Sequence, residues 1–283
     1  MKDSTLFRVL LSIGKYSVLA VVLIFTLGPF AWLVVSSFKP AEEIFRQIPT
    51  WYSENFTLAN YRWALGPLGA NIGRFLSNAF AASAGTALLS LLFAAIGGYS
   101  LARYQFPGYK AVSVVLLLAQ MFQGPLIMVP WYKMAAALGI LNTKLVLALI
   151  YGTTTIPVSV WLMSGFYRHV PRTLEEAALV DGCSRLGALW RIIVPSAAPG
   201  LVATTLFAFV TAWNDYQYAL ILTSSDKAKT IQVGISELVG FMGMSNWGGI
   251  MASGVLATIP IIFIFAYIQK YLIEGLTAGA VKG

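Results

Sequence analysis

Six stretches of this sequence run for more than twenty residues without a single Asp, Glu, Lys or Arg. They are Tyr16 to Phe38 (23 residues), Phe75 to Ala102 (28), Ala111 to Tyr132 (22), Leu145 to Tyr167 (23), Ile192 to Asn214 (23) and Leu238 to Gln269 (32). About 20 helical residues cross a hydrocarbon layer roughly 30 Å thick, and only helices or closed barrels satisfy their own backbone in lipid. The pattern therefore predicts an all-α integral membrane protein with six transmembrane helices. The last run is polar and glycine-rich between Gly243 and Gly249, which puts the start of its helix near Ile250. The expected spans are about 16–38, 75–102, 111–132, 145–167, 192–214 and 250–269.

A formal charge of +8 would suggest phosphate neutralisation in a soluble protein. Here the basic residues lie between apolar runs, so membrane orientation explains them and no nucleic-acid partner is expected. Six spans put both termini on one side, with segments 1–15, 103–110, 168–191 and 270–283. Those hold 11 Lys and Arg in 61 residues, against 8 in 83 for the opposite segments, which predicts cytoplasmic termini. Lys2, Arg8 and Lys15 precede a first run too long for a signal-peptide core, so that run reads as a retained helix.

Seven prolines (Pro29, Pro125, Pro130, Pro157, Pro195, Pro199 and Pro260) fall inside the runs, where each removes a backbone donor. Helices so interrupted suggest a transporter or channel, although proline is also commoner in membrane helices generally. Small residues four apart, as at Ala94 and Gly98, allow close helix approach. The single Cys183 excludes an intrachain disulfide, His169 reads as an ordinary membrane-edge histidine, and no phosphate-cradling G-x-x-x-x-G-K-[ST] loop occurs. Any ATP chemistry must come from another chain.

The loop 168–191 is the most informative segment. Pro171 ends the preceding helix, Thr173 and Glu176 have capping-box spacing, and Gly182 suits a left-handed stop, which together predict one short helix. Ser184 is placed to cap a second, on which Leu186, Leu189, Trp190 and Ile193 form one apolar stripe. A helix-turn-helix this small cannot bury its own apolar side. It must dock on the protein's own helix ends and lipid headgroups, or on a partner brought close to Ala177 and Ala178.

The run Glu176-Ala177-Ala178, three residues, Gly182, nine residues, then Ile192-Ile193-Val194-Pro195 resembles the E-A-A-x3-G-x9-I-x-L-P signature of ABC importer permeases, with Val194 where Leu is usual. Ser37-Phe38-Lys39-Pro40, Phe56-Thr57-Leu58-Ala59-Asn60-Tyr61, the segment Gly98 to Gly108, Trp213-Asn214-Asp215 and the ending Gly275 to Gly283 are similar to the carbohydrate-uptake branch. Within it they look like the second permease subunit of maltose-type transporters. The resemblance implies a single permease domain over 1–283 in a bacterial or archaeal inner membrane. It also implies a homologous second permease, two subunits that bind Mg-ATP, and an extracytoplasmic solute-binding protein. The chain would hold no cofactor and would not be an enzyme.

The resemblance gives Glu176, Ala177, Ala178, Asp181 and Gly182 the role of an ATPase-coupling element, with Pro195 loosening the fifth span beside it. It sends the tail, with Gly275, Gly279 and Lys282, toward the ATPase interface. Polar groups on inward helix faces are needed along a translocation path. Gln120, Gln123, Asn214 and Asp215 are the candidates, with Trp213 and Tyr216 placed to stack on a sugar ring. The expected cargo is a sugar or oligosaccharide; a polyol or glycerol phosphate ester is the alternative. An enzyme acting on lipid-linked sugars would need the acids Glu175, Glu176 and Asp181 for chemistry.

Overall fold

A computed structural model describes residues 3–121, 124–241 and 246–280, and the regular structure throughout these residues is helical. The helices are α1 (Asp3–Ser37), α2 (Ala41–Ile44), α3 (Ala59–Leu65), α4 (Ile72–Arg103), α5 (Tyr109–Leu118), α6 (Pro125–Ala137), α7 (Lys144–His169), α8 (Arg172–Val180), α9 (Arg185–Ala188), α10 (Val194–Ser196), α11 (Ala198–Trp213), α12 (Gln217–Leu222), α13 (Ile231–Phe241) and α14 (Trp247–Ala280). A 3-10 turn at Ala119–Met121 follows α5, and a π-helical turn at Leu189–Ile193 joins α9 to α10. Four of these helices are long and apolar enough to cross a membrane, or up to six if each of two bent pairs forms one span. The chain divides into two units, Met1–Ile72 with Ile235–Ile259, and Gly73–Gly234 with Pro260–Gly283.

In the first unit, α1 leaves Ile24 and Phe25 largely exposed, as a helix does that meets lipid or another chain rather than its own core. Beyond it, two separated sequence segments tie one knot. Asn60 Nδ2 donates to the carbonyls of Ser37 (2.9 Å) and Lys39 (2.8 Å), and Thr57 N donates to Phe38 O (2.9 Å). The Phe38 ring stacks on Phe56 at 4.7 Å. Lys39 is 1% exposed, yet its ammonium donates to Thr50 O and lies 4.6 Å from the Trp32 ring centroid, so its charge is not left bare. Buried Glu43 accepts from Asn55 N (2.8 Å), Ser53 Oγ (3.0 Å) and Glu54 N (3.2 Å). Burial works against its ionisation, but these donors prevail and hold the carboxyl below its usual range.

The second unit is built on α4, α7 and α11. A Cβ at Gly98 of α4 would lie 2.7 Å from Met163 Cβ of α7, and one at Gly85 would lie 3.1 Å from Ala148 Cβ. Small residues thus set the helix separation, and a buried hydrogen bond between the hydroxyls of Ser90 and Thr155 (2.8 Å) bridges the same pair. Gly200 of α11 plays the corresponding part against the Phe166 ring of α7, 2.3 Å from a built Cβ.

Several expectations change. The third and fifth runs, 111–132 and 192–214, are each split between two helices. Gly124 takes a positive φ of 81° ahead of α6, and the segments Arg185–Ser196 and Ala198–Trp213 meet at 81°. Pro125 and Pro199 stand in the first turn of α6 and α11, where a missing N–H costs no hydrogen bond; Pro29, Pro130, Pro157 and Pro260 lie within helices. The last helix starts three residues before Ile250, because Asn246 Oδ1 accepts from Gly249 N (3.0 Å) and caps it. It then stays helical through Ala280, so Gly275 and Gly279 continue a helix instead of forming a separate tail from 270. Lys282 and Gln123 lie outside the described residues.

Candidate functional site

The loop 168–191 folds as two helices joined by a tight turn. Gly182 has φ +85°, so Asp181 N, Gly182 N and Cys183 N turn back onto the carbonyls of Ala177, Leu179 and Ala178 and close α8. Ser184 Oγ accepts from Gly187 N at 3.1 Å and caps α9. The capping box at Thr173 does not form. Pro171 is the N-cap, with φ −56° and ψ 134°, so the helix starts at Arg172 and Thr173 falls inside the first turn. The expected apolar stripe also divides: Leu189 and Ile193 are fully buried while Leu186 and Trp190 are exposed, since the π turn widens the helix and changes which side faces inward.

The inward side of this element docks on the chain's own helix ends. Leu189, Ile193 and Ala197 pack with Ala94 and Tyr99 of α4 and with Met163 and Tyr167 of α7. The polar clamp beside that cluster is specific. Glu175 Oε2 lies 3.1 Å from Arg103 Nε, with the side chains 13% and 5% exposed, and Tyr99 donates its hydroxyl to Glu175 Oε1 at 2.5 Å. Arg103 Nη2 also donates to Val170 O at 2.8 Å, and the guanidinium of Arg185 lies 5.4 Å from the ring centroid of Tyr104. The Glu175 carboxylate therefore fastens α8 to the last turn of α4, and the Arg103 guanidinium fastens α4 to the start of the loop.

The outward side is free of such ties. Glu176, Ala177, Asp181 and Gly182 are exposed, and Val180 is 87% exposed, whereas Ala178 is buried against the protein. Positions 175 and 178 face inward and 176, 177 and 180 outward, the division expected of a helix with 3.6 residues per turn. Pro195 is exposed and sits just ahead of the 81° bend. Its missing N–H leaves the turn before it one bond short, and at the bend Ala197 N is shared between the carbonyls of Ile193 (3.0 Å) and Val194 (3.2 Å).

The candidates for a translocation path separate. Gln120 donates to Thr154 O of α7 at 3.1 Å. Trp213 is 2% exposed and stacks on Phe209 at 5.8 Å, so packing occupies its ring. Asn214 and Tyr216 are exposed. Asp215 Oδ1 accepts from Tyr218 N (3.1 Å) and Ala219 N (3.2 Å) and caps α12; burial pushes its carboxyl up, against those donors. Among the described residues no group of three His, Cys, Asp or Glu could hold a metal ion.

Reading the sequence missed Arg103, Tyr99 and Tyr104 as site residues and weighed Glu175 only as one of three clustered acids. Arg103 ends a charge-free run on the same side as Glu175, which is the one signal that could have paired them. Glu175 is committed to Arg103 and Tyr99, and Glu176 and Asp181 are exposed, so these three acids are not brought together as a catalytic pair.

A family model described as binding-protein-dependent transport system inner membrane component matches residues 90–277, which include the whole of this element. The trehalose/maltose transport system permease protein MalG of Thermococcus litoralis is 32% identical over 283 residues, 100% of both chains. The diacetylchitobiose uptake system permease protein DasC of Streptomyces coelicolor is 34% identical over 255 residues, 90% of this chain and 91% of the relative. A crystal structure of a bacterial ABC transporter involved in alginate import holds a chain of the same fold, with TM-score 0.81, 20% identity and coverage of 93% and 96%.

Proposed function

Because the chain belongs to the family of binding-protein-dependent transport system inner membrane components, we propose that it is a membrane-spanning subunit of an ATP-driven importer of sugars or oligosaccharides. The relatives named for trehalose/maltose and diacetylchitobiose uptake support the cargo class. The chain pairs with a homologous permease and takes solute from an extracytoplasmic binding protein. Two partner subunits bind and hydrolyse Mg-ATP, and both of this chain's termini are cytoplasmic.

The observation that carries this reading is the two-sidedness of α8. Its inner side is clamped by Glu175, Arg103 and Tyr99, while Glu176, Ala177, Val180 and Asp181 stand outward. A helix fastened on one side and bare on the other is suited to sit in a cleft of an ATPase subunit and act as a handle. Force on it passes to α4 through the ion pair and to α7 through the apolar cluster, so the two helices turn with it. The bend at Ala197, after Pro195, lets α11 follow at a different angle. Alternating access follows when closure of the ATPase pair swings these helices. Gln120, Gln123, Asn214, Asp215 and Tyr216 line the path, Tyr216 offering the ring that Trp213 has given to Phe209. The C-terminal segment, with Gly275, Gly279 and Lys282, contacts the ATPase surface.

The test is cysteine crosslinking to a co-expressed ATPase subunit after Cys183→Ala. Ala177→Cys should link and Ala178→Cys, on the buried side, should not. Equal linking at both positions, or none at either, contradicts the docking geometry.

A further inference from the structure

Where α4 and α7 end beside α5, the chain forms an open cavity of about 980 Å³. Lys110, Arg168 and Arg172 line it with the aromatic residues Tyr104, Phe106 and Tyr109, and among the described residues no acidic one does. Arg103 also borders it, but its charge is answered by Glu175. The Tyr109 hydroxyl accepts from Arg168 Nη2 at 2.5 Å, which fixes the guanidinium in the wall instead of leaving it to sweep through solvent.

A second hollow of about 320 Å³ shares Arg168 and runs back along α7 past Trp161, Gly165 and Phe166. Of its other polar residues, Ser164 is buried, and His169 Nδ1 lies 2.9 Å from Gly165 O of its own helix. A Cβ built on Gly165 meets no atom within 4 Å, so this groove is open space. Seven residues from Trp161 to Arg168 correspond to about 10 Å along a helix, so the groove leads from the basic cavity well into the span.

We propose that this pair of hollows is a site for one anionic glycerophospholipid, its phosphodiester among Lys110, Arg168 and Arg172 and an acyl chain along Trp161, Gly165 and Phe166. The combination selects this ligand. A soluble phosphate has no use for an apolar groove opening from its site, and a zwitterionic lipid gains less from three basic groups without an acid. The basic cavity lies at the ends of two spans, at the depth where headgroups sit, and anionic lipid of the cytoplasmic leaflet is drawn to such clusters. The proposal rests on the cytoplasmic orientation of the termini only for the leaflet that supplies the lipid. Such a lipid would bridge the α4–α5 turn and the start of α8, beside the Arg103–Glu175 clamp.

The full chain, purified and reconstituted in phosphatidylcholine nanodiscs, can be titrated with spin-labelled phosphatidylglycerol and, separately, spin-labelled phosphatidylcholine. The unaltered chain should immobilise phosphatidylglycerol in preference. Each basic side chain lost should lower that preference about fivefold, so Lys110→Gln alone, at an exposed position, gives a measurable drop and Lys110→Gln with Arg168→Gln a larger one. Gly165→Leu, which fills the groove, should weaken retention of both labelled lipids. Inorganic phosphate should not displace the bound lipid. Unchanged selectivity in the Lys110 and Arg168 variants, or displacement by phosphate alone, would each overturn the site. Crosslinking of Ala177→Cys to a co-expressed ATPase subunit, carried out separately in membranes, reports on coupling, so failure of the lipid site and failure of the importer reading are told apart.

Discussion

Glu175→Gln is the sharpest perturbation of the clamp. The glutamine keeps an oxygen for the Tyr99 hydroxyl but leaves the Arg103 guanidinium, 5% exposed, without its counter-charge. Removing one partner of a buried pair costs about 3–5 kcal/mol. Arg103 keeps its bond to Val170 O and the carboxylate is 13% exposed, so the low end, about 3 kcal/mol, applies. That corresponds to about a hundredfold increase in local opening of α8. Hydrogen exchange reads it at the amides of Asp181, Gly182 and Cys183, which close the helix. Their exchange should accelerate by that factor while amides in the middle of α7 stay unchanged. Arg103→Met combined with Glu175→Leu removes both charges and should recover most of the loss, since apolar replacements of a whole pair are often neutral. With partners present, Glu175→Gln should lower uptake per ATP hydrolysed. Unaltered exchange in the single variant, or a double variant no better than the single, would refute the clamp as the link between α8 and α4.

Gly182→Ala meets no steric obstacle, because no atom lies within 4 Å of the added Cβ, but it must hold φ at +85°; the expected cost is about 1 kcal/mol, read as faster exchange at the end of α8. Gly98→Ala places a methyl 2.7 Å from Met163 Cβ and 3.1 Å from Ser164 N. Forcing α4 and α7 apart should cost about 1–3 kcal/mol and lower the thermal midpoint in detergent. Glu43 has a carboxyl held below its usual range, so its contribution to the loop after α1 is present above the unfolded-state pKa and is lost as pH falls through the depressed folded value. Limited proteolysis across 40–57 should therefore accelerate in acid for the unaltered chain, and Glu43→Gln should lessen that pH dependence, leaving the part due to the Arg46–Glu54 pair.

What could be read from the sequence divides along physical lines. Charge-free length is a property of composition, so α4 and α7 stand out as apolar runs from their residues alone. Composition does not register a bend, and the splits at Gly124 and Ala197 depend on local backbone conformation that an apolar run hides. Gly182 and Ser184 were legible because a positive φ and an N-cap are answered by single residues within their own turn. Thr173 was misassigned because Pro171 competes for the same role two residues earlier. The Arg103–Glu175 pair spans 72 positions, and the bonds of Asn60 to Ser37 and Lys39 span more than 20, so neither has a local signature. Trp213 shows the converse: an aromatic residue at a span end could stack on cargo or on a neighbour, and only the position of Phe209 decides.

The central claim is that this chain moves solute only when ATPase subunits pull on α8. Proteoliposomes holding the chain with its partner permease, ATPase subunits and binding protein can be compared with proteoliposomes holding the chain alone, using a panel of labelled disaccharides. The account predicts accumulation that requires ATP, is confined to the complete assembly, and is abolished when Glu176 is changed to Lys on the outward side of α8. Accumulation by the chain alone, or ATP-dependent uptake indifferent to Glu176→Lys, would contradict it.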